Sequence, residues 1–195
     1  MILYKAFSIY DRLTGWEYEY KKIPKDLKKG LIIAAPHTSN WDFVRCLGAF
    51  NAFEVPTKFA IKDDWMRFPL NLFMGPLGGI GVDRSPREGL TKRESLTQSV
   101  IDLYNNTDEL YMVFTPEGSR SKRTHWKTGF YHIAKGANVP LMLAYADYKN
   151  KIVGFKDCFM LTDDKEADMR KIMQYYNYPE HARYPEDFSV DTRYI

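Results

Sequence analysis

Residues 32–43 constrain the fold more than any other stretch of the chain. The apolar run Ile32-Ile33-Ala34-Ala35 reads as a buried strand, and Pro36 ends it. His37 comes next, and Ser39-Asn40-Trp41-Asp42 has the form of a capping box, with Ser39 as N-cap and Asp42 at N3. The pattern predicts a helix from about residue 40 to 53, with His37 on the turn that joins strand to helix. In open α/β sheets, ligands gather at the carboxyl ends of strands. On a continuous helix, side chains five residues apart diverge. A histidine on the preceding turn, however, is within reach of the Asp42 carboxylate. One ring nitrogen would then be held by the carboxylate, and the other would be free to take a proton from a substrate hydroxyl. Read alone, the same residues also fit a plain loop histidine and a capping carboxylate that complements the helix dipole.

The rest of the chain alternates strands and helices around this stretch. Residues 2–13 read as a short amphipathic helix. It could pack on the core or lie on a membrane surface, given Phe7, Ile9 and Tyr10. Residues 16–21 alternate aromatic and charged residues, as a half-exposed strand does. Further strands are expected at 57–61, 78–84 (with Arg84 at its exit), 110–114, 139–146 and 151–155, and further helices at 89–105, 128–137 and 163–177. Residues 65–77 are apolar nearly all round and interrupted by Pro69 and Pro76; they read as a buried helix or the wall of a greasy pocket. The tail, with Pro179 and Pro185, reads as an irregular surface segment. The expected fold is α/β: a mostly parallel central sheet flanked by helices, one domain over 1–195.

Charge and cysteine usage narrow the class. A net charge of +3 with acidic residues spread throughout does not suggest nucleic acid. The basic residues do cluster, at Lys21, Lys22, Lys25, Lys28 and Lys29, and again at Arg120, Lys122 and Arg123. Such clusters form solvated faces, and they also suit phosphate or anionic lipid. Cys46 and Cys158 have neither metal-ligand nor redox spacing and fit a reducing compartment. No signal peptide or run of transmembrane length is visible, so attachment to a membrane, if any, is expected to be peripheral.

Nucleotide and hydrolase motifs fail on inspection. Gly78-Gly79-Ile80-Gly81 leads to Arg84 where a dinucleotide fingerprint needs glycine, no phosphate-binding loop ending in Gly-Lys-Ser/Thr occurs, and there is no Gly-x-Ser-x-Gly elbow. His125, His132 and His181 lack zinc spacing. What remains is three strand ends with polar residues: His37 and Asp42, Arg84, and Glu117 through Arg120. They supply a base, its carboxylate, and two guanidinium groups suited to phosphate.

These blocks resemble the glycerolipid acyltransferase family, which includes the 1-acylglycerol-3-phosphate (lysophosphatidate) acyltransferases. His37 to Asp42 matches the family's His-x4-Asp block, Gly79 to Arg84 its glycine-led strand ending in arginine, and Phe114 through Ser121 its Glu-Gly-Thr/Ser-Arg-Ser block. Val139-Pro140-Leu141 matches its proline in a hydrophobic strand, all in the family's order. Pro36 stands where the family usually has asparagine, Gly81 where it has a bulkier residue, and the long hydrophobic N-terminal segment of many members is not seen. The resemblance implies acyl transfer from a coenzyme A or acyl carrier protein thioester to a lysophospholipid hydroxyl. No cofactor is implied beyond that co-substrate. His37 and Asp42 would be catalytic, and Arg84, Glu117, Gly118, Ser119 and Arg120 would bind substrate. The enzyme would be cytoplasmic and peripheral on the inner face of an anionic membrane.

Overall fold

The computed structural model describes residues 2–20, 24, 26–62, 68–69, 72, 75–76, 78–82, 85 and 88–195. Helix α1 (Ile2–Leu13) is followed by β1 (Glu17–Tyr20), β2 (Lys29–Ala34), α2 (Asn40–Ala52), β3 (Thr57–Lys62) and β4 (Gly79–Val82). Then come α3 (Lys92–Asn105), β5 (Leu110–Phe114), α4 (Gly129–Gly136), β6 (Leu141–Asp147), β7 (Ile152–Phe159) and α5 (Lys165–Tyr176). Two single 3-10 turns, Pro179–His181 and Pro185–Asp187, punctuate the tail.

Among the described residues seven strands form one sheet in the order β1-β7-β6-β2-β5-β3-β4. Strands β2 to β6 run parallel; β7 is antiparallel to β6, and β1 follows β7. Strand β2 lies between β5 and β6, so its residues are covered on both faces. Leu31 and Ile33 join the core under α3, α4 and α5, while Ile32 and Ala34 join the core under α2. This two-faced burial is why the strand reads as a continuous apolar run rather than an alternation. Leu31, Ile32 and Ile33 are all fully buried, each contributing about 1.5–3 kcal/mol relative to exposure.

Buried tyrosines fasten the helices to β2. Tyr104 of α3 donates to the Gly30 carbonyl at 3.0 Å and accepts the Met112 amide at 3.2 Å. Tyr176 of α5 donates to the carbonyls of Ile33 (3.1 Å), near the carboxyl end of β2, and of Ala144 (2.9 Å), in the middle of β6. On the opposite face α1 packs on α2 at Gly48, where a Cβ would lie 2.5 Å from the Asp11 carboxylate and 3.4 Å from the backbone of Phe7. Glycine is what permits that close approach. Buried Asp11 ion-pairs with Arg45 of α2 and accepts from Tyr18.

Some expected boundaries move. Helix α3 begins at Lys92, because Thr91 and Glu94 form a capping box there and Gly89 just upstream is left-handed. Strand β7 extends to Phe159, since it pairs with the whole of β6. The tail is anchored rather than loose: Phe188, Ser189 and Asp191 are buried. Ser189 accepts the Arg123 amide and, through its carbonyl, the Trp126 indole, and Asp191 accepts the Trp126 amide. Of the apolar stretch 65–77, Phe68 and Leu72 are exposed; Trp65, Met66, Leu70, Phe73, Met74 and Leu77 lie outside the described residues.

Candidate active site

Because β2 to β6 share one direction, their carboxyl ends meet at one edge of the sheet. The turn after β2 carries His37, and the turn after β5 carries Glu117 through Arg120. Strand β4 also ends at this edge; Asp83 and Arg84 follow it but lie outside the described residues. Lys28 and Lys29 sit at the amino end of β2, away from this edge, and Lys29 donates to the Tyr104 carbonyl at 2.7 Å. Lys21, Lys22 and Lys25 are outside the described residues.

Asp42 is a helix cap and a partner of His37 at once. Its Oδ2 accepts the amides of Thr38 and Ser39, each at 2.8 Å, and lies 3.2 Å from His37 Nδ1. The capping box with Ser39 is complete. Its Oδ1 accepts the Tyr148 hydroxyl at 2.8 Å. The carboxylate is buried and receives donors on both oxygens, so it acts here as an acceptor. It therefore selects the tautomer with hydrogen on Nδ1 and leaves the Nε2 lone pair available. Nε2 makes no hydrogen bond to any described residue, and the imidazole is about a fifth exposed, at 21%. Burial and the Asp42 charge both push the Tyr148 phenol well above its ordinary pKa, so it stays a donor.

Glu117 holds the other side of His37. Its Oε1 accepts the His37 backbone amide at 2.8 Å, while the buried Oε2 has no hydrogen-bond partner among the described residues. Burial raises its pKa to about 7, against the opposing pull of the surrounding amides and His37; the Asp42 charge adds to the rise. Gly118 follows in the left-handed region at φ +63°, with Lys127 packed where a Cβ would project, so glycine is needed for this turn. Ser119 accepts the Ser121 amide at 3.0 Å. Arg120 is exposed and donates to Asn40 Oδ1 in the first turn of α2. The structure thus brings His37, Asp42 and Glu117 into one network and sets Arg120 beside Asn40, at the start of the same helix.

A cavity of about 660 Å³ opens beside His37 and Asp42. Its walls are Phe43, Leu47 and Phe50 of α2, Phe59 of β3, and Val113 and Phe114 of β5. The polar atoms thus stand at one end of an apolar hole of the size that takes small ligands. Sequence reasoning missed these residues because the stripe at 43, 47 and 50 reads as an ordinary core-facing helix stripe. It missed Tyr148 as well, whose only signal is its place just past the carboxyl end of β6. Among the described residues no group of three or more His, Cys, Asp and Glu side chains could hold a metal ion.

A family model described as Acyltransferase matches residues 16–144. The chain belongs to the Acyltransferase family. The matched segment runs from just before β1 into β6, and so contains His37, Asp42 and the Glu117–Arg120 turn of this acyltransferase. Tyr148 and the tail lie outside it. No curated protein and no solved structure matches the chain. Among the described residues no helix is long and apolar enough to cross a membrane.

Proposed function

We propose that this acyltransferase moves a fatty acyl group from a coenzyme A or acyl carrier protein thioester to the hydroxyl of a lysophospholipid such as 1-acylglycerol-3-phosphate, in phospholipid synthesis. The observation that carries the reading is the His37–Asp42 pair at the mouth of an apolar cavity. His37 Nε2 takes the acceptor's hydroxyl proton as its oxygen attacks the thioester carbonyl. Asp42 holds the ring and stabilises the imidazolium, with Tyr148 steadying the carboxylate from behind. The tetrahedral intermediate collapses, the carbon–sulfur bond breaks, and the imidazolium returns the proton to the departing thiolate. The products are an ester and a free thiol, and no protein nucleophile is required. The acyl chain occupies the cavity between α2, β3 and β5.

Arg120, with Arg84, binds the acceptor's phosphate. Glu117, Gly118 and Ser119 shape the turn that presents Arg120 to it. The acceptor is an amphiphile, so the reaction takes place at a bilayer surface, on the cytoplasmic face where both thioester donors are found. Ile9 and Leu13 of α1 and Trp41 and Phe43 beside the cavity are exposed, and they supply the apolar part of a weak, reversible contact with an anionic membrane.

The test is thiol release from acyl-coenzyme A and acyl–acyl carrier protein, with and without lysolipid acceptors. Turnover should need both substrates and should be lost in His37→Ala, whose fold is expected to survive. A general base accounts for about 10²–10⁴-fold in rate. Release of free fatty acid without an acceptor would make the protein a thioesterase. Binding without any thiol release would make it a headgroup binder.

A further inference from the structure

The tail completes the site from outside the family-matched segment. Tyr184 donates its amide to Thr38 Oγ1 at 3.2 Å, which pins the tail against the turn that carries His37. Tyr184 and Asp187 then line a cavity of about 410 Å³ together with Arg120, Ser121 and the first residues of α2. Asn40 lines both this cavity and the apolar one beside His37. A ligand held here is therefore adjacent to the catalytic pair.

The charges of this cavity are mixed. Arg120 brings a guanidinium. Asp187 brings a half-buried carboxylate that has no hydrogen bond or ion pair with any described residue. The nearby cation, Arg183, makes no ion pair with Asp187; its guanidinium stands over the rings of Trp41 at 5.4 Å, Tyr184 at 5.7 Å and Tyr148 at 5.8 Å. A phosphate monoester would satisfy Arg120 but be repelled by Asp187. An acceptor with an anion and a protonated amine a few bonds apart satisfies both.

We infer that this cavity takes the headgroup of a zwitterionic lysolipid, with its phosphate on Arg120 and its ammonium on Asp187. The inference rests on the acyl-transfer reading of the same site and, within the lysophospholipids, puts a zwitterionic acceptor ahead of the phosphate monoester given there as the example. Asp187 is then a specificity determinant supplied by the tail.

The experiment compares lysophosphatidylethanolamine with lysophosphatidylglycerol, which lacks the amine, and with lysophosphatidate. Thiol release is measured for the parent chain, Asp187→Asn and Asp187→Glu. Binding of glycerophosphoethanolamine and of glycerol 3-phosphate is measured by calorimetry alongside. The parent should prefer the ethanolamine acceptor. Asp187→Asn should lower the ratio of kcat/KM for ethanolamine over glycerol headgroups about ten-fold, through KM, as expected for one charge-assisted hydrogen bond. Asp187→Glu, which keeps the charge, should retain the preference. A parent that favours lysophosphatidate, or an Asp187→Asn ratio equal to the parent's, overturns the inference. If no acceptor supports thiol release, acyl transfer itself fails, and calorimetry still decides the cavity's preference. Equal affinity for the two headgroup analogues then overturns the inference, and an ethanolamine preference lost in Asp187→Asn sustains it.

Discussion

Replacing Glu117 by glutamine tests the physical account of the site most directly. The carboxyl is buried, supports the His37 amide through one oxygen, and leaves the other without a partner among the described residues. Burial raises its pKa from 4.5 to about 7 in the folded protein. Between those values the folded state binds more protons than the unfolded state, so this group makes stability fall as pH rises. The penalty is absent below the unfolded value and complete above the folded one. At about 1.4 kcal/mol per pH unit it amounts to roughly 3 kcal/mol. Glutamine keeps an oxygen for the His37 amide but cannot ionise. Its amide nitrogen in place of Oε2 adds a cost that does not vary with pH. Urea unfolding of parent and variant at matched pH values from about 4 to 8 isolates the varying part. Relative to the parent, Glu117→Gln should gain roughly 3 kcal/mol across that range. A difference between the two proteins that stays constant with pH would refute the argument, because it would mean that Glu117 ionises as freely folded as unfolded.

Tyr148→Phe removes the phenol that donates to Asp42 Oδ1 and leaves the Nδ1 contact in place. It should lower kcat several-fold with little change in acceptor KM, as steady-state kinetics would register; an unchanged kcat would confine Tyr148 to its edge-on packing against the Trp16 ring, 4.9 Å between centroids. Phe50 lines both the apolar cavity and a neighbouring one of about 480 Å³. Phe50→Ala should join them, shift selectivity in a chain-length panel towards longer acyl donors, and cost about 3–5 kcal/mol in stability. Exchanging Ile9 and Leu13 for serine should weaken binding to anionic vesicles in a sedimentation assay without unfolding the chain, since both side chains are exposed. Binding by the parent should fall as salt rises, and salt-independent attachment to neutral vesicles would count against a contact with an anionic surface.

Much of the site was legible because its logic is local. The apolar run, Pro36 and the Ser39–Asp42 capping box lie within one short stretch, so they alone place His37 on a turn and Asp42 within reach. The two expected placements of Asp42, as helix cap and beside the His37 ring, are compatible, because one oxygen serves the amides and the ring together. The expected strand-and-helix alternation agrees with the sheet because both faces of β2 are covered, and a strand buried on both faces is recognisable by its continuous apolar composition.

Other features depend on contacts between residues far apart in the chain, which no local pattern records. Glu117 reads as part of a phosphate-binding turn, yet its oxygen supports His37, 80 positions away; only the pairing of β2 with β5 brings them together. Tyr148 reaches Asp42 because β6 lies on the other side of β2. The tail reads as irregular surface, and it is irregular in backbone. Its hydrogen bonds to Arg123, Trp126 and Thr38 are nevertheless what seat Tyr184 and Asp187 beside Arg120. The apolar cavity follows the same rule, since the stripe of α2 that lines it has the periodicity of a core-facing helix. The amino-acid sequence alone determined the strand–turn–helix that carries His37 and Asp42, because hydrogen bonds between near neighbours define it. The tertiary structure decided what surrounds that pair, because burial, cavity shape and the partners of Glu117, Tyr148 and Asp187 are set by strand order and by where the tail lies.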